Sequence, residues 1–449
     1  MKLGTSLTEG SVFKKYIFFI LPIFFSGVLQ QLYNTADSMV VGKFAGEAAL
    51  AAVGSTASLT NLILHLFLGL AVGANVVCSM YYGAGNREGL HRAIHTGISL
   101  AVISGVFLAI FGYFCTKYFL RMMGTPDDII DQSILYMQIF FLGSPASLVY
   151  NFGAAILRAA GDTKRPLYIL FVAGIINVIL NLICVIVFEL GVVGVTLGTI
   201  ASQIFSAICV MYILIKTTGE FKFEVKKMKI YPLELKKIAA TGIPSGFNGM
   251  LFSFSNVIIQ SAINSFGKIV IAGNVAAAQV EAFAYLVLSS VDQGAVSFVG
   301  QNMGAKKYDR IGKVVKVAMT VAFIGVIIVC SALYLSGEKI ISLFTRDLTD
   351  EVIVVGMWKI LISFSGYLLF VPNQVFSGVL KGMGKAIVPT VISVIFICGT
   401  RLVWLATVFP HFPSYTTVFA AYPVSWTFAS IAVTIAYFIV KKKVLKISI

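Results

Sequence analysis

Apolar runs long enough to cross about 30 Å of hydrocarbon, at about 1.5 Å per helical residue, recur along the whole of this 449-residue chain. Twelve can be counted. They run from about Tyr16 to Val41, Ser55 to Tyr81, Ala93 to Phe114, Ile134 to Ile156, Pro166 to Phe188 and Val192 to Ile215. After a polar interval come Ile243 to Phe266, Ala276 to Gln301, Val314 to Leu335, Val355 to Leu380, Ile387 to Val408 and Val418 to Val440. The composition fits: 58% of residues are hydrophobic and 12% charged, against about 25% charged in a soluble domain. The expected fold is an all-α polytopic membrane protein. The first run follows Lys14 and Lys15, has no small-residue cleavage site and exceeds a signal h-region, so it reads as a retained helix.

Charge sets the expected orientation. With twelve spans, the termini and every even-to-odd connection share one side, and those segments, counted with Lys316 at the start of the ninth run, hold 26 of the 34 Lys and Arg. That side is expected to be cytoplasmic. The basic concentrations are Lys216 to Lys237, "GAKKYDRIGK", "LRAAGDTKRP" and "KKKVLK", whereas "TPDDIID" and "TRDLTDE" on the opposite side carry more acid than base. The net charge of +15 is thus an orientation signal, and no basic soluble domain supports nucleic-acid binding.

The chain repeats itself. Gly73-Ala74 and Gly83-Ala84 return at the same spacing as Gly294-Ala295 and Gly304-Ala305. "LRAAGDTKRP" is echoed by "LKGMGKAIVP", aligning Gly161 with Gly384 and Pro166 with Pro389, and Pro22 pairs with Pro244. Two six-helix lobes follow, residues 1–215 and 241–449, joined by a Lys-rich cytoplasmic linker, 216–240. An even helix number makes them parallel repeats, with the cavity between them the default place for a substrate.

Ionisable residues inside spans are costly and point to function. Gln30, Tyr33, Asn34 and Asp37 share one face of the first helix, and Asn177 and Asn181 share one face of the fifth. Carboxylate and amide oxygens in such an arrangement suit a proton or a sodium ion. The alternative is that the Asn and Asp side chains merely tie helices together. In the second half Glu281, Tyr285, Leu288 and Asp292 form one stripe of the eighth helix, where the acids could draw cations into a cavity. Arg401 reads as a lone cation within a span, pairing with Glu281 or Asp292 or snorkelling outward. Tyr33, Tyr136, Tyr150 and Tyr285 are the aromatics expected to touch substrate. The six cysteines have no CxxC spacing, and the histidines, with His91 and His95 placed in a cytoplasmic connection, have no metal spacing.

"QQLYNTADSMVVGKFAGEAALAAVG", "ILRAAGDTKRP" and "NVILN", in this order along twelve spans, resemble the bacterial branch of the multidrug and toxic compound extrusion (MATE) transporters. The resemblance covers both halves. It implies a plasma-membrane exporter of small, often cationic, organic compounds in exchange for protons or sodium ions, with cytoplasmic termini. It also implies that Asp37 carries the coupling ion, with Asn177 and Asn181 beside it. From the helical faces themselves, Asn34 is expected next to Asp37, and Gln30 and Arg401 are expected along the substrate path. The seventh helix departs from part of the family in having no carboxylate. Alternating access is the expected mechanism, with a monomer in the bilayer and no cofactor beyond the coupling H+ or Na+.

A lipid-linked oligosaccharide flippase is the nearest alternative, and it would need a cavity lined by several basic residues. A membrane enzyme of lipid metabolism would need clustered intramembrane acids or histidines, and a channel would need filter motifs. Neither pattern is present, so an enzyme is not expected.

Overall fold

A computed structural model describes residues 3–344 and 350–447. Part of the acid-bearing stretch "TRDLTDE" therefore lies outside the described residues. The first half comprises α1 (Val12–Val40), α2 (Glu47–Gly83), α3 (Arg87–Met122), α4 (Ile130–Leu142), α5 (Ser144–Ala159), α6 (Lys164–Leu182) and α7 (Gly191–Lys216). The second comprises α8 (Pro232–Asn264), α9 (Lys268–Gly304), α10 (Tyr308–Leu335), α11 (Gly337–Phe344), α12 (Asp350–Gly382), α13 (Ile387–Ile392), α14 (Thr400–Thr407) and α15 (Tyr415–Ile447). Wider π turns continue α1 over Val41–Ala45 and α6 over Ile183–Val187, and join α13 to α14 over Ser393–Gly399.

Ten of these stretches are long and apolar enough to span a membrane, and α4 with α5, bent by 47°, makes an eleventh. Gly143 and Pro145 account for the break, because proline is tolerated in a helix's first turn but not in its interior. The twelfth is α8, whose 33 residues suffice in length although Ser, Asn and Gly lower its hydropathy. It begins eleven residues before the apolar run at Ile243, because Pro232 starts a helix whose first turns carry Glu234, Lys236 and Lys237. The fold is all-α, with twelve transmembrane helices in two lobes.

The repeated Gly161 and Gly384 have the same structural cause. Each has positive φ, 82° and 74°, at a helix end where the chain reverses. Asp162 N–H bonds Leu157 C=O at 2.9 Å, and Lys385 N–H bonds Leu380 C=O at 2.8 Å. This six-to-one closure needs a residue that is at ease in the left-handed region.

Two compact units are distinguished by their internal packing: residues 1–7 with 25–246, and residues 8–24 with 247–449. The first packs around Leu90, Ile94, Phe152, Ile156, Val210 and Leu214. The second has a core of Ile259, Val355, Val418 and Phe419. In it Tyr16 donates to Val291 C=O at 2.8 Å, and the Tyr367 and Phe370 rings stack on Trp426 at 5.1 and 4.9 Å.

Candidate functional site

In the first unit, the C-terminal part of α1 lies beside α6 and α7. The stripe Gly174, Asn177 and Asn181 on α6 recurs at three- and four-residue steps and so presents one face. Tyr33 meets that face: its hydroxyl donates to Leu170 C=O at 3.0 Å, and its ring fills the space over Gly174. One turn further along α1, Asp37 Oδ1 accepts from Asn181 Nδ2 at 2.5 Å. Asp37 Oδ2 accepts from Thr199 Oγ1 on α7 at 3.4 Å, and Asn177 Nδ2 donates to the same hydroxyl at 3.3 Å. Gly198 makes this register possible, since any side chain there would overlap the Asn181 amide.

Three sequence-selected residues, Asp37, Asn177 and Asn181, are thus brought together, with Thr199 as a fourth member. Both asparagines are at most 4% exposed, and the oxygens Asn177 Oδ1 and Asn181 Oδ1 are buried without a hydrogen-bond partner. Buried amide oxygens without donors are uncommon and hold capacity for a cation or a proton donor. Among the described residues no Lys or Arg pairs with Asp37: both its hydrogen-bond partners are neutral. Tyr136 is partly buried and packs beside this cluster against Val40, Val185 and Val195. Asn34 is exposed and outside the hydrogen-bond set of the carboxylate, as is Gln30. Thr199 escaped the sequence reading because a lone threonine in an apolar span usually bonds its own helix, as it also does here with Val195 C=O at 3.0 Å.

The substrate-contact expectation for Tyr33 and Tyr150 meets side chains engaged in helix packing. Tyr150 donates to Pro166 C=O at 3.4 Å and packs against the first unit's core. In the second unit Tyr285 stacks on Phe252 at 6.2 Å and accepts from Gln374 at 3.3 Å.

The expected pairing of Arg401 with Glu281 or Asp292 is corrected by the geometry. Arg401 is fully buried and donates to Ser255 Oγ at 3.0 Å, Asn256 Oδ1 at 2.9 Å and Ser425 Oγ at 3.2 Å, with its guanidinium 4.4 Å from the Tyr422 ring centre. It does not snorkel. Nor is it a lone cation, because α12 supplies two lysines. Lys359, 3% exposed, lies 3.4 Å from Glu281, and Lys381 lies 2.6 Å from Asp292. Both acids are therefore neutralised at short range, which removes the free charge that was expected to draw cations. Lys359 was legible as a charge within the tenth run, but its partner lies on another helix at a distance no spacing rule gives. His91 and His95 belong to α3 itself, and His95 is buried.

The arrangement on α1, α6 and α7 can be set beside known proteins. The MatE family profile matches twice, over residues 22–183 and 244–405. The chain belongs to the MatE family. The two matches open on Pro22 and Pro244, the pair aligned by the internal repeat. The chain is similar to a Bacillus subtilis (strain 168) protein named probable multidrug resistance protein YoeA, 29% identical over 448 residues, covering 97% of this chain and 96% of that one. It is 23% identical over 393 residues to the multidrug export protein MepA of Staphylococcus aureus (strain NCTC 8325 / PS 47), covering 86% and 85% of the two chains. A solved structure described as the outward-facing conformation of a multidrug resistance MATE family transporter of the MOP superfamily superposes with a TM-score of 0.91 at 21% identity, covering 99% of both chains. This MatE-family chain is a multi-span membrane transporter.

Proposed function

We propose that this MatE-family transporter exports small organic compounds, often cationic, across the plasma membrane in exchange for inward-moving protons or sodium ions. The observation that carries this reading is a contrast between acids. Glu281 and Asp292 each face a lysine, while Asp37, among the described residues, is held by the neutral Asn181 and Thr199. An intramembrane carboxylate with neutral partners can take up a proton or a cation without first breaking an ion pair. As an anion it accepts from the Asn181 NH2 group. Once it is protonated or beside a sodium ion, rotation of that amide by half a turn presents oxygen instead, so the same side chain serves both states.

Antiport further requires that the ion bind inward- and outward-facing states with different affinity. Asp37, Asn181 and Thr199 sit on three separate helices, so any relative shift of these helices changes the set of oxygens around the ion. Substrate enters from the cytoplasm, and ion arrival at Asp37 in the outward-facing state favours its release. A flippase for phosphate-bearing lipids would use accessible unpaired cations, whereas the lysines of α12 are matched by acids and Arg401 is fully buried with its guanidinium held by Ser255, Asn256 and Ser425.

Efflux of ethidium from proteoliposomes under separately imposed proton and sodium gradients tests this. One gradient is expected to drive export and the other not to. Transport indifferent to both would overturn the antiport reading.

A further inference from the structure

The chain between α7 and α8 was read as a Lys-rich linker, yet it is fastened to the first unit along its length. Phe221 and Phe223 are each 1% exposed. Phe221 meets the Tyr82 ring edge-on at 4.9 Å, and Phe223 stacks on His95 at 4.8 Å. His95 Nε2 accepts the Glu224 N–H at 3.1 Å, Tyr231 N–H donates to Thr96 Oγ1 at 3.1 Å, and Arg87 pairs with Glu220 at 2.7 Å. These anchors spend the aromatic residues inward and leave a defined set outward. Val225 and Met228 are 58% and 41% exposed, and Lys222, Lys226, Lys227 and Lys229 are exposed around them. Of the two nearby acids, Glu220 is taken by Arg87 and Glu224 by Lys227 at 2.7 Å. Lys222, Lys226 and Lys229 form no ion pair among the described residues.

The place of this strap on the helix indicates what it faces. Continuing along α3 from Arg92 and Thr96 at helical spacing leads to Ile103, Phe107 and Ile110, all more than half exposed. On a membrane span, an exposed apolar stripe of this kind faces lipid. The strap crosses the basic-side end of that same stripe, directly after α7 ends at Lys216. It therefore lies at the level where hydrocarbon gives way to headgroups. The positive-inside bias accounts for basic residues on this side, but not for two exposed apolar side chains set among them on a pinned segment.

We propose that residues 222–229 are a docking surface for anionic phospholipid of the cytoplasmic leaflet. Lys222, Lys226 and Lys229 meet the phosphate groups, and Val225 and Met228 enter the boundary between headgroups and acyl chains. Basic residues near an anionic surface and apolar side chains at its edge act together in this way on peripheral segments.

Amide hydrogen exchange of the full-length protein tests this in nanodiscs of phosphatidylcholine, with and without phosphatidylglycerol. Exchange over residues 218–231 is expected to slow with phosphatidylglycerol by at least about fivefold, the factor for one lysine near an anionic surface. Raised salt should remove most of that effect. Lys222→Gln, Lys226→Gln and Lys229→Gln together should abolish the lipid response, while exchange over α3 stays as in wild type and reports an intact fold. Val225→Ser with Met228→Ser should speed exchange in both discs. Equal exchange of the wild type in the two discs, an undiminished lipid response in the triple lysine variant, or an equal effect from inorganic phosphate in phosphatidylcholine discs would each overturn the proposal.

Discussion

The Tyr33 ring occupies the space that any side chain at Gly174 would need, so α1 approaches α6 at the one position of its polar stripe that has no Cβ. Its hydroxyl is fixed on α6 through Leu170 C=O at 3.0 Å. One turn away, this seating sets the reach of Asp37 to Asn181. The tyrosine thus acts on the carboxylate through the backbone, as a spacer between two helices.

Gly174→Val is accordingly expected to expel the Tyr33 ring and cost about 1–3 kcal/mol, the usual price of an overpacked contact. Export should fall with it. Tyr33→Ala introduced into Gly174→Val should recover part of the stability, because the clash is removed from the other side. Thermal unfolding in detergent measures both; a Gly174→Val protein that unfolds like wild type would show that the ring does not set the helix spacing.

Asp292 and Lys381 give a second prediction. Their side chains are 16% and 13% exposed, at a separation of 2.6 Å. Asp292→Asn alone leaves a mostly buried lysine without its counter-charge, a loss on the order of 3–5 kcal/mol when a buried pair is broken from one side. Asp292→Asn with Lys381→Gln should be less destabilised than the sum of the two single variants. Strict additivity would mean that the pair is not formed in the folded protein.

The fold was legible because the signals are local and repeated. A transmembrane run is recognised from its own residues, and the Gly161 and Gly384 reversals need only their own turn. Asp37, Asn177 and Asn181 were legible as a polar set because each is uncommon in an apolar span and the asparagines share a helical face. What could not be read is which side chains meet across helices. Thr199 looks like any threonine that bonds its own helix, and Gly198 acts by leaving room for Asn181. The lysines of α12 reach acids 78 and 89 residues away in sequence, at positions 281 and 292. Arg401 shows the same limit from the other direction: the acids that seemed its natural partners were occupied, and neutral oxygens on α8 and α15 hold it instead.

Orientation is open to direct test. Both termini and the strap around Lys227 are expected in the cytoplasm, and the exposed turn around Asp128 outside, from the distribution of 26 of 34 basic residues. A cysteine placed at 128 should react with an impermeant reagent added to intact cells, and one at 227 only after permeabilisation. The opposite pattern would invert the assignment.

The last prediction concerns Asp37. Asp37→Asn keeps the size of the side chain and one acceptor oxygen for Asn181 or Thr199, so the protein is expected to fold and still bind substrate. It removes the charge that a proton or sodium ion would neutralise. If Asp37 couples the gradient to export, the variant should lose gradient-driven ethidium efflux almost completely while binding in detergent persists, because the ion no longer separates inward- from outward-facing states. Asp37→Glu keeps the charge but moves it by one methylene away from the backbone position that Tyr33 sets, so it should retain part of the activity. If the carboxylate served only to tie α1 to α6 and α7, asparagine would do so nearly as well. Near wild-type efflux by Asp37→Asn under either gradient would therefore take Asp37 out of the transport cycle and leave the Asn177, Asn181 and Thr199 cluster as a structural contact between helices.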